Sequence, residues 1–309
     1  MEVKYVAFDS FGVKSSCVFV ETKDVRVCID PGIAGETGSF PLPRYEKLAL
    51  KMKYKGRIKK ACKDADIIII THYHYDHHIP QSELYRGKHL LIKDPLNNIN
   101  ASQMKRASYF LKIVKPKKIE VADNKKFKFG STIIEFSPPL WHGVEGTNLG
   151  KVIMVSIKDN DSKLLHSSDI DGPYINSYAK LITKQDPSLL ILDGFPSYLL
   201  GFLASFENLK KVIENTLYII THTESKVILD HHLLRDYRYR EIYYEVYKKA
   251  KELGRKVHTA AEELGEKAKV IEGYERFGPT RWKEWQNFTF DYLHRLIEHA
   301  KKVKSKDMR

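Results

Sequence analysis

The segment THYHYDHH places His72, His74, Asp76, His77 and His78 within seven residues. Imidazole nitrogens and a carboxylate make a donor set suited to zinc and other borderline divalent ions. Such a cluster is costly in a core unless every group is satisfied. It follows directly on ADIIII, which reads as a fully buried strand. Loops at strand exits are where α/β scaffolds carry their sites. The pattern points to a metal centre rather than to an idle surface loop.

The elements around this segment must supply any further ligands. KYVAFDS, SCVFVET and VRVCID read as short strands bounded by turns, and DPG at 30–32 ends the third. Residues 44–63 predict a lysine-rich helix, with Leu48 and Met52, and Ile58 and Cys62, four apart. A second helix is expected over 100–114, ended by Pro116. Strands are expected near 126–136, 152–157, 163–167 and 188–192. EVYKKAKELG reads as a helix stopped at Gly254, and KVHTAA as the last strand. A final helix is expected near 281–303, with Trp285, Phe288, Tyr292, Leu296 and Ile297 at helical spacing. No linker and no solenoid-length repeat divides the chain. One domain over 1–309 is expected, with a helical insertion near 32–65.

Composition narrows the class. The 309 residues, 42% of them hydrophobic, suffice for a buried core. No secretory leader and no apolar run long enough for a membrane span is visible, so a cytoplasmic protein is expected. Cys17, Cys28 and Cys62 form neither a CxxC pair nor an even set, so buried thiols are expected rather than disulfides. The net charge of +13 would attract polyanions, although a lysine-rich solvated surface explains it equally.

The run His72-Tyr73-His74-Tyr75-Asp76-His77 is similar to the HxHxDH signature of the metallo-β-lactamase superfamily. Asp30 in CIDPG, His142-Gly143, Asp169 in LLHSSDIDG and a late histidine in LDHHLLRD follow the superfamily's order. The whole most resembles an archaeal branch of predicted metal-dependent hydrolases. The resemblance implies an αββα sandwich of two β-sheets flanked by helices, and two divalent ions. Zinc is the expected ion, with manganese or iron as alternatives. Redox di-iron relatives usually carry glutamate where this chain has His74. By the same resemblance His72, His74 and His142 would hold one ion, Asp76, His77 and the late histidine the other, and Asp169 would bridge them. Asp30 would organise the ligands from behind.

The late histidine is His231 or His232. Alternation along a strand would let only one of them reach the metal. The spacing to Arg235 in related nucleases favours His231, leaving His232 behind the site. Asp193, ending a buried strand, is a further supporting candidate or a turn cap before Gly194. Asp76 and His258 are the candidate catalytic side chains. In this fold the last strand tends to end beside the site, where His258 would contact substrate or donate a proton, or else be a core residue. His78 is expected to point away, His166 to pack within a strand, and His222 to lie in a surface turn.

Two ions sharing a hydroxide would attack a carbonyl carbon or phosphorus and need no serine or cysteine nucleophile. No GxSxG elbow or P-loop suggests otherwise. The expected activity is hydrolysis of a small ester, thioester, lactone or phosphoester. The alternatives are a nuclease drawing RNA or DNA through the lysines of 44–63, and a non-catalytic binding protein on the same fold. Sixty-one residues separate Asp169 from His231 (231 − 169 − 1), too few for the insertion of the mRNA-processing nucleases.

Overall fold

The computed structural model describes residues 1–201 and 203–279. The helix expected over 281–303 lies outside them.

Two sheets form the body. The first is six-stranded, in the order β1 (Glu2–Phe8), β2 (Ser16–Glu21), β3 (Arg26–Ile29), β4 (Ile67–Ile70), β5 (His89–Ile92), β6 (Lys118–Val121). β1 and β3 each run antiparallel to β2, and β3 to β6 are mutually parallel. Parallel neighbours need crossovers, supplied by α1 (Arg44–Asp64) between β3 and β4 and by α2 (Ala101–Ile113) between β5 and β6. The IIII of β4 is buried throughout, as a central parallel strand covered on both faces requires.

The second sheet begins with the hairpin β7 (Lys126–Phe129) and β8 (Thr132–Phe136). A small ribbon follows, β9 (Leu140–Trp141) with β10 (Lys151–Val152). The sheet continues with β11 (Val155–Asp159), β12 (Ser162–His166), β13 (Leu189–Asp193), β14 (Lys226–Asp230) and β15 (Val257–His258), seven strands with β7 and β8. β12 to β15 are parallel. Their crossovers are α3 (Asn176–Gln185), α4 (Phe206–His222), and α5 (Tyr239–Ile242) with α6 (Tyr244–Glu252). Two short helices close the described chain, α7 (Ala260–Glu263) and α8 (Lys269–Phe277).

Period-two alternation divides the core. Leu189, Ile191 and Ile228 pack between the sheets with Ile69, Val18 and Ile157. Leu190, Leu192, Val227 and Leu229 face the outer helices with Ile182, Val212 and Val246. This is the αββα sandwich. The parallel strands end on one edge, so the residues ending or following β1, β3, β4, β12, β13 and β14 gather there: Asp9, Asp30, Thr71-His72, Ser167–Asp169, Asp193 and His231.

Two local expectations are corrected. α1 forms as expected, but its buried side is Tyr54, Ile58, Ala61 and Cys62, with Leu50 partly buried. Leu48 and Met52 are 59% and 68% exposed. They sit about 200° around the helix from Leu50 and Tyr54, so that pair marked the wrong stripe, while Ile58 and Cys62 are buried as expected. ITHTES is no turn at its start: His222 is the exposed last residue of α4, its Nδ1 2.8 Å from the Tyr218 carbonyl. The three cysteines are buried and free. No helix among the described residues is long and apolar enough to cross a membrane.

Candidate metal centre

The imidazole Nε2 atoms of His72, His77, His142 and His231 all approach one oxygen, Asp169 Oδ2, at 3.4, 2.9, 3.5 and 3.4 Å. Ligand atoms of His72, His74, His142 and Asp169 lie within 4.8 Å of one another, and so do those of Asp76, His77 and His231. His72 Nε2, His77 Nε2 and Asp169 Oδ1 are buried and make no hydrogen bond. Buried polar atoms are seldom left this way, and together they describe a donor set aimed at a shared centre.

Two of the rings, those of His77 and His231, are turned by a buried carboxylate behind them. Asp30 is fully buried and accepts from Thr71 N (2.8 Å), Thr71 Oγ1 (2.6 Å) and His77 Nδ1 (2.9 Å). A carboxylate of this kind only accepts, so Nδ1 keeps a proton for Asp30, and once Nε2 gives up its own proton its lone pair faces the centre. Asp9 does the same for His231, with Nδ1 at 2.8 Å. His166 accepts from Ser168 N through Nδ1, and its Nε2 lies 3.0 Å from the Ser16 carbonyl. It thereby anchors the loop that carries Asp169. Asp30, Ser168, Asp171 and His231 all take left-handed backbone, with φ of 47°, 57°, 52° and 68°. Strained residues of this kind concentrate at sites where surrounding structure over-determines them.

The charges sort the ligands. Burial lowers His72 to about 4 and His74 well below the usual imidazole value. Burial also opposes protonation of His77, but Asp169 and Asp30 outweigh it and raise it to about 10. His142 and His231 are raised in the same way, against burial, by Asp171 and Asp169, and by Asp9 and Asp169, respectively. Metal must displace these protons. Uptake at pH 7 should therefore release about three protons, from His77, His142 and His231, and affinity should keep rising with pH toward about 10. Calorimetric titration in buffers of different ionisation enthalpy reads the number directly; release near zero would contradict this assignment.

A glycine sets the approach of the candidate ligand loop. A Cβ on Gly32 would lie 2.1 Å from His77 N and 2.2 Å from the Asp76 carbonyl carbon, so only glycine lets these backbones meet. Gly32→Ala should cost about 1–3 kcal/mol by overpacking and weaken metal binding, read by denaturant unfolding of the metal-free protein and by metal content.

The structure brings His72, His74, Asp76, His77, His142, Asp169 and His231 together, and His232 with them. The expected alternation between the last two does not apply, because the chain leaves β14 at Asp230. His231 and His232 open a 3₁₀ turn, His231–Arg235, and their rings lie 4.3 Å apart. His231 faces Asp76 and His77. His232 Nδ1 meets Asp193 Oδ1 at 2.9 Å and Asp171 Oδ1 at 3.3 Å, and its ring lines the cleft. Asp193 both holds His232 and caps a loop, accepting from Asp171 N at 2.7 Å. His258 is corrected: its Nδ1 pairs with Glu263 at 3.1 Å, its side chain is 41% exposed, and it does not line the cleft. β15 is only two residues long, and His258 pairs with Ile228, two positions before the site end of β14. His78 points away, donating from Nδ1 to the His74 carbonyl beside Tyr73 and Phe110.

Three contributors escaped sequence reasoning: Asp9, Asp171 and the side chain of Arg235. Asp9 follows β1 as Asp30 follows β3, and Asp171 repeats Asp169 two residues on in SDIDG. Those were the available signals.

Fold and site together place the chain in the metallo-β-lactamase superfamily, whose pattern matches residues 11–78. It belongs to the UPF0282 family. The UPF0282 protein of Sulfurisphaera tokodaii is 43% identical over 284 residues, covering 89% of this chain and 92% of that one. That of Methanopyrus kandleri is 40% identical over 291 residues, covering 89% and 97%. Among solved structures, a mutant of CmlA beta-hydroxylase, an enzyme of Streptomyces venezuelae, superposes with a TM-score of 0.50 at 14% identity. It covers 80% of this chain and 51% of that one, a likeness of fold alone.

Proposed function

We propose that the chain is a dinuclear metal-dependent hydrolase acting on a small ester, thioester, lactone or phosphoester. The observation that carries this reading is the convergence of four imidazole Nε2 atoms on Asp169 Oδ2, with buried donor atoms beside it that no protein group satisfies. His72, His74 and His142 would hold one ion, Asp76, His77 and His231 the other, and Asp169 both. The nitrogen-rich set with two carboxylates suits zinc, with manganese and iron as alternatives. Bound divalent ions supply Lewis-acid polarisation of a carbonyl or phosphoryl group and activation of water near neutral pH.

The chain's own residues do the rest. Asp30 and Asp9 keep the protons of His77 and His231 on Nδ1. Asp76, half-buried, is the ligand nearest Arg235 and faces the cleft. The cleft is about 500 Å³ and carries Val144, Leu149, Leu199 and Leu203 on its walls. That volume suits a small molecule. None of α1, which carries Lys51, Lys55 and Lys59, is in its lining. These features favour the small-substrate hydrolase over a nuclease.

Elemental analysis of protein supplied with zinc should find close to two equivalents. His231→Ala should keep about one and lose more than the 10–100-fold typical of partners behind a ligand. His232→Ala should keep both. Full activity in rigorously metal-free protein would refute the reading.

A further inference from the structure

We propose that Arg235 binds an anionic group of the substrate, a phosphate or a carboxylate, at the Asp76 edge of the cleft. The inference rests on the hydrolase reading for the reaction, but on separate residues for the ligand.

Arg235 is the only lysine or arginine in the cleft lining among the described residues. It is 5% exposed and held on two sides. Nε donates to Asp9 Oδ2 at 2.6 Å, and Nη1 donates to the Tyr198 hydroxyl at 3.0 Å. The Tyr198 ring lies 5.7 Å from the guanidinium carbon. Nη2 makes no hydrogen bond. Nη2 lies 3.7 Å from Asp76 Oδ2, within ion-pair distance but beyond hydrogen-bond range. Asp76 is grouped instead with His77 and His231, where a metal would engage its oxygens.

A guanidinium offers five N–H donors in one plane, and its Nη1–Nη2 edge matches two oxygens of a carboxylate or phosphate. In this protein the Nε side is spent on Asp9, and the far edge keeps unused donors facing Asp76. Leaving buried donors without an acceptor is unfavourable, and a substrate oxyanion would satisfy them. Glu36, another acid nearby, does not fill the role: both of its carboxyl oxygens are buried and make no hydrogen bond, to Arg235 or to any other group. Because Asp9 and Tyr198 already fix the side chain, an arriving anion would freeze little extra motion. The leucines and Val144 that also line the cleft would take an apolar part of the same small molecule.

The full-length, zinc-loaded protein is titrated by calorimetry with inorganic phosphate and, separately, with acetate, in wild type, Arg235→Met and Arg235→Lys. Turnover of para-nitrophenyl phosphate is compared with that of para-nitrophenyl acetate, and metal content is measured in each variant. The wild type should bind one of the two anions more tightly, which identifies phosphate or carboxylate as the group recognised. Arg235→Met should keep its metal and weaken that anion at least about 10-fold, while the anionic-to-neutral ratio of kcat/KM falls about 10–100-fold. Arg235→Lys keeps the charge but not the fork and should fall between. If Arg235→Met loses metal, Arg235→Lys and Tyr198→Phe carry the test through the same ratio. Unchanged anion affinity overturns the inference, as does a parallel loss on both esters in every variant, since Arg235 would then only position Asp9 and His231. Zinc-loaded protein that cleaves the neutral ester but binds neither anion overturns this inference alone. A chain that takes up no metal overturns the hydrolase reading, and this inference with it.

Discussion

Asp169→Asn should remove metal and activity together, leaving well under one equivalent bound and reducing kcat/KM by on the order of 10³-fold or more, the several kcal/mol a metal centre supplies. The substitution keeps the side chain's volume, so packing hardly changes. It removes the one negative oxygen that four Nε2 atoms approach within 3.5 Å. The metal-free protein should also respond. Asp169 is held well below the usual carboxylate value, against burial, by His77, His231 and His72. Its contribution to stability is present above its unfolded pKa near 3.9 and is lost as pH falls. The raised His77 contributes in full below about 6.5, and that share is lost as pH rises through about 10. Both are complete only between about pH 4 and 6.5, so Asp169→Asn should lower the melting temperature of metal-free protein most within that window. A variant that retains two equivalents of zinc would remove Asp169 from the centre.

Asp30→Ala should destabilise the metal-free protein by about 3–5 kcal/mol, the cost of breaking a buried, hydrogen-bonded charge. Asp30 has no exposed surface, and its oxygens satisfy Thr71 N, Thr71 Oγ1 and His77 Nδ1. Alanine leaves those donors buried without acceptors, in a position whose φ of 47° disfavours most side chains. Asp30→Asn retains one acceptor and should fall between. Urea unfolding of metal-free protein isolates this effect from ligand loss, and metal affinity in the same variants should drop about 10–100-fold because His77 loses its orienting partner. A loss under about 1 kcal/mol in alanine would show that Thr71 and His77 find other acceptors.

Much of this was legible in the sequence because it is local. A buried IIII strand followed at once by HYHYDH needs no tertiary information to read as ligands at a strand exit. The strand runs around Asp30, Asp169 and Asp193 were visible for the same reason: alternating or continuous apolar runs mark strands, and polar residues just beyond them mark an edge. α1 was legible as a helix, with Ile58 and Cys62 on its buried face, but its N-terminal half was not, because Leu48 and Met52 lie among lysines with nothing local to say which side meets the sheet.

By itself, then, the sequence determined the donor types, their order and the strand ends that present them, since these follow from side-chain chemistry and short-range periodicity. Tertiary structure decided the partners. Asp9 reaches His231 across 222 residues, a pairing no local spacing encodes. The choice between His231 and His232 depended on where β14 stops: one residue beyond Asp230 the chain enters a 3₁₀ turn at φ 68°, and strand alternation no longer governs which ring faces inward. His258 was set aside by the same kind of fact. Its strand is in register with Ile228 rather than with the strand end, so its imidazole meets Glu263 and not the metal centre.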